Sequence, residues 1–206
     1  MKILLTGFKP FGTVKVNPSE QIVRAIAGRA QSRPPTRLKS RGDDLIAEIL
    51  PTEYARAERA IRGLIRRHSP DAVVCLGVAQ LRRAISLERV ALNLDDEPSP
   101  DNAGRVRLGR PIVRDGPLAI SSTLPLQRMQ RALRRAGVRA SFSNHAGTYV
   151  CNHVFYAARH EVERLGKNTP CGLIHVPGLR EPKKNPKGMT LAKMVAGVEC
   201  CLKALR

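Results

Sequence analysis

Short runs of apolar residues recur along the chain, and each ends at a glycine, a proline or a polar loop. Such runs are typical of buried strands, which are predicted at residues 2–6, 45–50, 71–78 and 172–176. The apolar positions at residues 85–94 predict two further extended segments, and a short strand is expected near Ser141. The glycines and prolines of residues 7–12 predict a loop, as does the polar segment at residues 95–104.

Longer segments between these runs carry apolar residues at the spacing of amphipathic helices. The predicted helices follow the turn at residues 17–19 and occupy residues 53–68, 125–136, 151–165 and 190–205. Gly137 comes directly after the third of them, in the position where a left-handed residue ends many helices. Residues 31–37 are rich in proline and arginine and are expected to form an exposed connection.

Strands and helices alternate through the chain, and neither an internal repeat nor a low-complexity linker divides it. This order predicts an α/β fold, with residues 1–206 forming a single three-layer α/β/α domain around a mostly parallel, mixed central sheet. The 206 residues, 42% of them hydrophobic and 26% charged, are enough for a sizeable core. That length excludes a disulfide-dependent miniprotein, and the composition excludes a disordered chain.

The longest uncharged stretch in the body of the chain, at residues 72–81, has about half of the roughly 20 residues that a membrane-spanning helix needs. Met1 and Lys2 run directly into a short apolar segment and a glycine, without the longer apolar region and cleavage site of a secretory signal. We therefore expect a cytoplasmic protein that makes no membrane contact.

The chain is strongly basic, because 36 lysines and arginines outnumber 17 acidic residues and give a net charge of +19. Such a charge attracts polyanions whatever the function is. Aromatic residues make up only 3% of the chain and tryptophan is absent, so the stacking surfaces on which many nucleic-acid binders depend are scarce. A basic polyanion-binding protein therefore stays an alternative function, but no specific nucleic-acid partner is expected.

Five cysteines, an odd number, show no C-x-x-C spacing, so we expect reduced thiols and no metal ion. Cys151 falls in the first turn of a predicted helix, where unpaired N–H groups and the helix dipole favour a thiolate. This position makes Cys151 the candidate nucleophile, although a small buried hydrophobic residue is the alternative interpretation. Cys75 lies within a predicted strand and is assigned to the core.

A nucleophilic cysteine needs a base, and His175 is the best-placed histidine. It lies near the carboxyl end of a buried strand, where open α/β sheets carry ligands and catalytic groups. His153 follows Cys151 by two residues and therefore points to a different face of the helix. His68 and His160 are expected to be solvated, and a structural core histidine is the alternative for His175.

Glu88 is a candidate for the carboxylate that would orient the histidine. It lies in an otherwise apolar extended segment, where a carboxylate is costly unless it is paired. A salt bridge with Arg89 or another arginine is the alternative explanation. Asp95, Asp96 and Asp101 lie in a polar loop and are further candidates.

Four segments of the chain together resemble the pyroglutamyl peptidase I family, also called pyrrolidone-carboxylate peptidases, which are cysteine peptidases. Their sequences are TGFKPFG at residues 6–12 with NPS at 17–19, ERVALNLDD at 88–96 with PDN at 100–102, AGTYVCNHVFY at 146–156, and HVP at 175–177. The similarity extends from the first strand to the last helix in unchanged order.

The resemblance implies Cys151 as the nucleophile, His175 as general base and then acid, and Glu88 as the orienting carboxylate. The implied reaction removes an N-terminal pyroglutamyl (5-oxoproline) residue from a peptide, without a cofactor or metal. Pyroglutamylated peptides are then the expected partners, and a homo-oligomer is a candidate assembly because relatives commonly self-associate. The implied substrate-binding residues are Phe8, Phe11, Asn17, Tyr149 and Val150.

The chain departs from the family pattern beside these motifs. Val78, Gln80 and Leu81 replace a glutamine and two glycines, and Pro98 and Ser99 replace an arginine and an isoleucine. These positions adjoin the expected site, so they bear on efficiency and substrate choice more than on the reaction class. A divergent member with weak or altered peptidase activity is therefore a second alternative.

Overall fold

The central sheet has six strands in the computed structural model, which describes residues 1–31 and 44–206. In chain order the strands of these residues are β1 (Lys2–Phe8), β2 (Asp44–Leu50), β3 (Ala72–Val78), β4 (Ile85–Glu88), β5 (Val90–Leu92), β6 (Asp95–Glu97), β7 (Arg107–Arg110), β8 (Ala119–Ser121), β9 (Ala140–Ser143) and β10 (Cys171–Val176). The sheet order is β2-β1-β3-β10-β4-β9. Strands β2, β1, β3 and β10 are parallel, whereas β4 is antiparallel to β10 and parallel to β9.

Helices cover both faces of this sheet. They are α1 (Pro18–Gln31), α2 (Tyr54–His68), α3 (Leu126–Arg135), α4 (Val150–Arg164) and α5 (Leu191–Lys203). Apolar residues of α1, α3 and α5 share one core cluster, and those of α2 and α4 share another. The predicted three-layer α/β/α architecture with a mostly parallel, mixed sheet is therefore confirmed. Among the described residues, none of the helices combines the length and apolar content that crossing a bilayer requires.

Side-chain alternation along the strands decides which residues face the α2/α4 layer. On β10, Leu173 belongs to the α2/α4 cluster and Ile174 to the opposite one, so His175 faces α2 and α4. On β4, Ile85 and Leu87 belong to the α1/α3/α5 cluster, so Glu88 also faces α2 and α4. The two polar side chains therefore lie on the same face as α4, the helix that carries Cys151.

The structure differs from the sequence prediction at several short segments. Residues 95–104, predicted to be a loop, begin with β6, which pairs with β7, and β8 pairs with β5. These strands have only three or four residues, too few for a periodic pattern to show. Strand β1 continues through Gly7 and Phe8 because β2 pairs with both. The predicted connection at residues 31–37 lies, apart from Gln31, outside the described residues.

Candidate active site

The thiol of Cys151 and the imidazole of His175 meet over Gly77. A Cβ added at Gly77 would lie 2.8 Å from Nε2 of His175 and 2.9 Å from Sγ of Cys151. The two reactive atoms are therefore separated by no more than the sum of these distances. His175 and Gly77 are register partners on β10 and β3, so a glycine is needed there to leave room for both side chains.

The first turn of α4 is held in place by its own polar residues. Gly147 adopts a φ of +81°, which lets the chain turn before the helix begins at Val150. Asn152, fully buried, accepts a hydrogen bond from the N–H of Leu92 at 2.9 Å and donates to the carbonyl oxygens of Leu92 and Leu94. These bonds join the turn that carries Cys151 to the segment that follows Glu88.

His175 donates a hydrogen bond from Nδ1 to Oε1 of Glu88 over 2.8 Å, which leaves Nε2 directed toward the thiol. Glu88 is fully buried, and Arg82 forms an ion pair with the same carboxylate oxygen. Burial alone would raise the pKa of Glu88, but the hydrogen bond from His175 and the nearby positive charge outweigh it and lower the pKa. Glu88 is therefore ionised at neutral pH.

The other candidate carboxylates have different partners. Asp95 accepts from Nδ1 of His153 at 2.9 Å and from Arg107 at 2.7 Å. Asp101 accepts from the backbone N–H of Tyr54, and Asp96 from the backbone N–H of Gly109. Of the four carboxylates that the sequence left open, Glu88 is the one bonded to His175.

Burial dominates the electrostatics of the Cys151 thiol. It raises the pKa of Cys151 to about 12, and the negative charge of Glu88 adds to this rise. Hydrogen bonds from the backbone N–H groups of Val78 and of Cys151 itself lower the pKa by less. The expectation that the helix N-terminus yields a thiolate is therefore wrong, because desolvation outweighs the helix end.

Aromatic rings cluster at the N-terminal end of α4, the helix that carries Cys151. The ring centroids of Phe11 and Tyr149 lie 5.8 Å apart, and those of Tyr149 and Tyr54 lie 5.7 Å apart. Phe11 and Tyr149 are partly exposed, whereas Phe8 and Val150 are buried in the same core cluster as Cys151. The predicted substrate-binding residues thus divide into an accessible pair and a buried pair.

Asn17, the fifth predicted substrate-binding residue, uses its side chain within the protein. Its amide donates to the carbonyl oxygen of Lys9 at 3.1 Å, and its Oδ1 accepts from the backbone N–H and the hydroxyl of Ser19. The Ser19 hydroxyl also accepts from the N–H of Phe8. Asn17 therefore anchors the end of β1 and the loop after it, which carry Phe8 and Phe11.

A family model described as pyroglutamyl peptidase matches residues 1–206. The chain belongs to this family. It is 39% identical to the pyrrolidone-carboxylate peptidase of Bacillus licheniformis, over 96% of this chain and 88% of the relative. It is 41% identical to that of Gloeobacter violaceus, over 100% of this chain and 97% of the relative.

Solved structures show the same likeness. A mutant pyrrolidone carboxyl peptidase from Pyrococcus furiosus superimposes with a TM-score of 0.90 at 32% identity, covering 99% of this chain and 97% of that one. Pyroglutamyl peptidase I from Bacillus amyloliquefaciens gives 0.88 at 33% identity, covering 97% of this chain and 94% of that one. The prediction of an enzyme of the pyroglutamyl peptidase I type is confirmed at the level of the family.

Sequence reasoning missed a buried charged cluster beside the site. His153, fully buried, lies between Asp95 on Nδ1 and Glu58 on Nε2, the latter at 3.4 Å. Burial would lower the pKa of His153, but its bonds to the two carboxylates outweigh this and raise the pKa. Asp95 in turn binds Arg107. The polar pair Asn152 and His153, within the otherwise apolar first half of α4, was the available signal.

Two further observations concern side chains outside the thiol–imidazole pair. His160, expected to be solvated, is half-buried and stacks on Tyr156 with ring centroids 6.2 Å apart. Over residues 1–31 and 44–206, no group of three or more His, Cys, Asp or Glu side chains is arranged to hold a metal ion.

Proposed function

We propose that the chain is a cysteine exopeptidase that removes an N-terminal pyroglutamyl residue from peptides. Cys151 is the nucleophile, His175 the general base and then acid, and Glu88 the group that orients His175. The observation that carries this proposal is the convergence of thiol and imidazole over Gly77, with Glu88 bonded to the far nitrogen of the ring. Membership of the pyroglutamyl peptidase family supports the same reaction.

The reaction begins with a neutral thiol, because burial raises the pKa of Cys151. As Sγ attacks the pyroglutamyl carbonyl carbon, the thiol proton passes to Nε2 of His175. The resulting imidazolium is stabilised by Glu88 and gives this proton to the departing amine as the peptide bond breaks. Water, deprotonated by His175, then hydrolyses the thioester and releases 5-oxoproline.

The negative oxygen of the tetrahedral intermediate needs hydrogen-bond donors. The backbone N–H groups of Val78 and Cys151 are already directed at the sulfur atom. Because the attacked carbonyl carbon must sit within bonding distance of the sulfur, its oxygen falls within reach of the same two groups. Fixed backbone donors of this kind need no rearrangement during the reaction.

The aromatic residues suit the acyl part of the substrate. A pyroglutamyl ring is uncharged and has no free amine, so it needs an apolar slot rather than an acidic clamp. Phe11 and Tyr149 provide accessible ring faces, and Phe8 and Val150 lie in the core beside Cys151. The substrates are therefore peptides with a pyroglutamyl N-terminus. A cytoplasmic location and self-association stay predictions.

Hydrolysis of a fluorogenic pyroglutamyl amide tests the proposal. Cys151→Ala should abolish turnover, because its thiol is the nucleophile that meets His175 over Gly77. The matched control is Cys200→Ala. Cys200 is a half-buried residue of α5, so this variant should keep turnover within a few-fold of the unsubstituted protein. Full activity of the Cys151 variant would refute the assignment of Cys151 as the nucleophile. If the unsubstituted protein does not hydrolyse the amide, the assignment of pyroglutamyl peptides as substrates is refuted.

A further inference from the structure

A cavity of about 390 Å³ lies over strands β4 and β9, and the mechanism above does not use it. Two arginines, three serines, an alanine and a phenylalanine line it: Arg82, Arg83, Ala84, Ser86, Ser141, Phe142 and Ser143. Ser86 alternates with the core residues Ile85 and Leu87, so its side chain faces the α2/α4 layer, as His175 does. The cavity is thus on the catalytic face of the sheet.

Strand register connects the cavity to the thiol and imidazole. Gly77 is the partner of His175, His175 is the partner of Ser86, and Ser86 is the partner of Ser141. These residues form one row across β3, β10, β4 and β9, with neighbours about 4.8 Å apart. The cavity therefore begins one strand beyond His175, on the side away from Gly77 and Cys151.

The chemistry of the proposed reaction determines the direction in which the bound peptide runs across the sheet. The acyl group bonds to Sγ, and Phe11 of its proposed aromatic slot follows β1, which lies on the far side of β3 from β10. The departing amine must lie next to Nε2 of His175 to receive its proton. The peptide beyond the cut bond therefore continues toward β4 and β9. Since an extended residue spans about 3.3 Å, the second and third residues after the pyroglutamyl group reach the cavity.

The polar groups of the cavity are those that bind a carboxylate. Ser86 is only 2% exposed, yet its hydroxyl forms no hydrogen bond with any described residue. Arg83 is exposed and has no ion-pair or hydrogen-bond partner within residues 1–31 and 44–206. Arg82 donates from one nitrogen to Glu88 and from another to the carbonyl oxygen of His145 at 3.5 Å, and its side chain is 33% exposed. An arginine fork beside a free hydroxyl matches a carboxylate in geometry and charge.

We propose that this cavity binds the downstream part of the substrate and selects peptides with a carboxylate on the second residue after the pyroglutamyl group, either in its side chain or at the C-terminus. Arg83 and Ser86 are the specificity-determining residues, and Arg82 links the cavity to Glu88. This inference rests on the proposed function, because the direction of the peptide depends on His175 as the acid for the leaving amine.

Four peptides and one small substrate test this inference by their kcat/KM values. Pyroglutamyl-Ala-Glu amide is compared with pyroglutamyl-Ala-Gln amide to test a side-chain carboxylate. Pyroglutamyl-Ala-Ala is compared with its amide to test a terminal carboxylate. Pyroglutamyl aminomethylcoumarin, which has no carboxylate, reports basal activity. We expect at least one acidic peptide to exceed its neutral match by about three- to tenfold, and the two comparisons identify which carboxylate is bound.

Variants assign the preference to the cavity. Arg83→Gln should remove most of the preference by lowering kcat/KM of the acidic peptides toward that of their neutral matches, and Ser86→Ala should reduce the preference in part. Arg131→Gln, an exposed arginine on α3 across the sheet, is the matched control for loss of one charge and should retain the preference.

The outcomes separate the two proposals. Equal kcat/KM for acidic and neutral peptides, or a preference that Arg83→Gln leaves intact, would overturn this inference while the peptidase assignment stands. No hydrolysis of any of the five substrates would overturn the peptidase assignment and this inference with it.

Discussion

Arg82 and Glu88 form an ion pair in which the arginine shares one carboxylate oxygen with the imidazole of His175. The sequence left two interpretations of Glu88 open, a structural salt bridge and a catalytic carboxylate. The structure combines them, because the same buried group has an arginine on one side and the histidine on the other. Arg89, the arginine next to it in sequence, instead donates to Asn144 and lies over the ring of Phe142.

Replacing Glu88 tests its orienting role. Glu88→Gln should lower kcat on a pyroglutamyl substrate by about 10²-fold or more while KM changes little, because a misoriented imidazole affects the chemical step. Arg89→Gln is the control and should stay near unsubstituted activity. Circular dichroism of both variants decides the remaining question: loss of folding in Glu88→Gln would favour a purely structural ion pair.

Gly77→Ala tests the convergence of thiol and imidazole. The new methyl group would lie within 2.9 Å of Sγ of Cys151 and 2.8 Å of two ring atoms of His175, so at least one side chain must move. We expect kcat/KM to fall by about 10²-fold or more, since small misplacements of reacting groups have effects of this size. Gly63→Ala, on α2 with open space around it, is the matched control. Full activity of the Gly77 variant would contradict the site geometry.

Glu161 should stabilise the protein through the arginines around it. Arg62, Arg66 and Arg164 all bind its carboxylate, which is almost fully buried. Although burial would raise the pKa of Glu161, these hydrogen bonds lower it to about 2. Glu161→Gln should therefore reduce the free energy of unfolding at pH 7 by about 3 kcal/mol, as breaking a buried ion pair does.

The pH dependence of that difference has a fixed sign. A carboxylate with a lowered pKa stabilises the folded state above its unfolded pKa of 4.5, and this contribution is lost as the pH falls toward about 2. Urea unfolding of the unsubstituted protein and of Glu161→Gln should show that the difference between their free energies of unfolding becomes smaller as the pH falls over this range. Glu20→Gln, which breaks the exposed pair with Arg24, should cost less than about 1 kcal/mol. If the difference in free energy of unfolding does not change with pH, Glu161 does not stabilise the protein as an ionised carboxylate.

The net charge of +19 predicts weak binding of polyanions that plays no part in the reaction. Association with a nucleic acid should disappear at moderate salt concentration, because it depends on the release of counterions. Hydrolysis of a pyroglutamyl substrate should persist under the same conditions. Filter binding across a series of salt concentrations measures the affinity for nucleic acid. Tight binding with a sequence preference at physiological salt would instead favour the polyanion-binding alternative.

The sequence by itself determined most of the elements of the fold. An amphipathic helix buries one face and a central strand buries both, and the spacing of apolar residues along the sequence shows which of the two is present. The helix that carries Cys151 and the strand that carries His175 were both predicted in this way. Strands of three or four residues, such as β6 and β8, were missed because their pairing depends on backbone contacts with distant segments.

Only the tertiary structure decided which polar groups act together. Apart from the family resemblance, which implied Glu88, local sequence left Glu88, Asp95, Asp96 and Asp101 as candidate carboxylates, and the antiparallel register of β4 against β10 brings Glu88 to His175. Likewise, burial outweighs the helix end at Cys151, and burial is a property of the assembled layers. Local sequence specifies the spacing of apolar residues in a helix or strand. The register between strands and the desolvation of side chains arise from contacts between residues far apart in the chain, and no local pattern records those contacts.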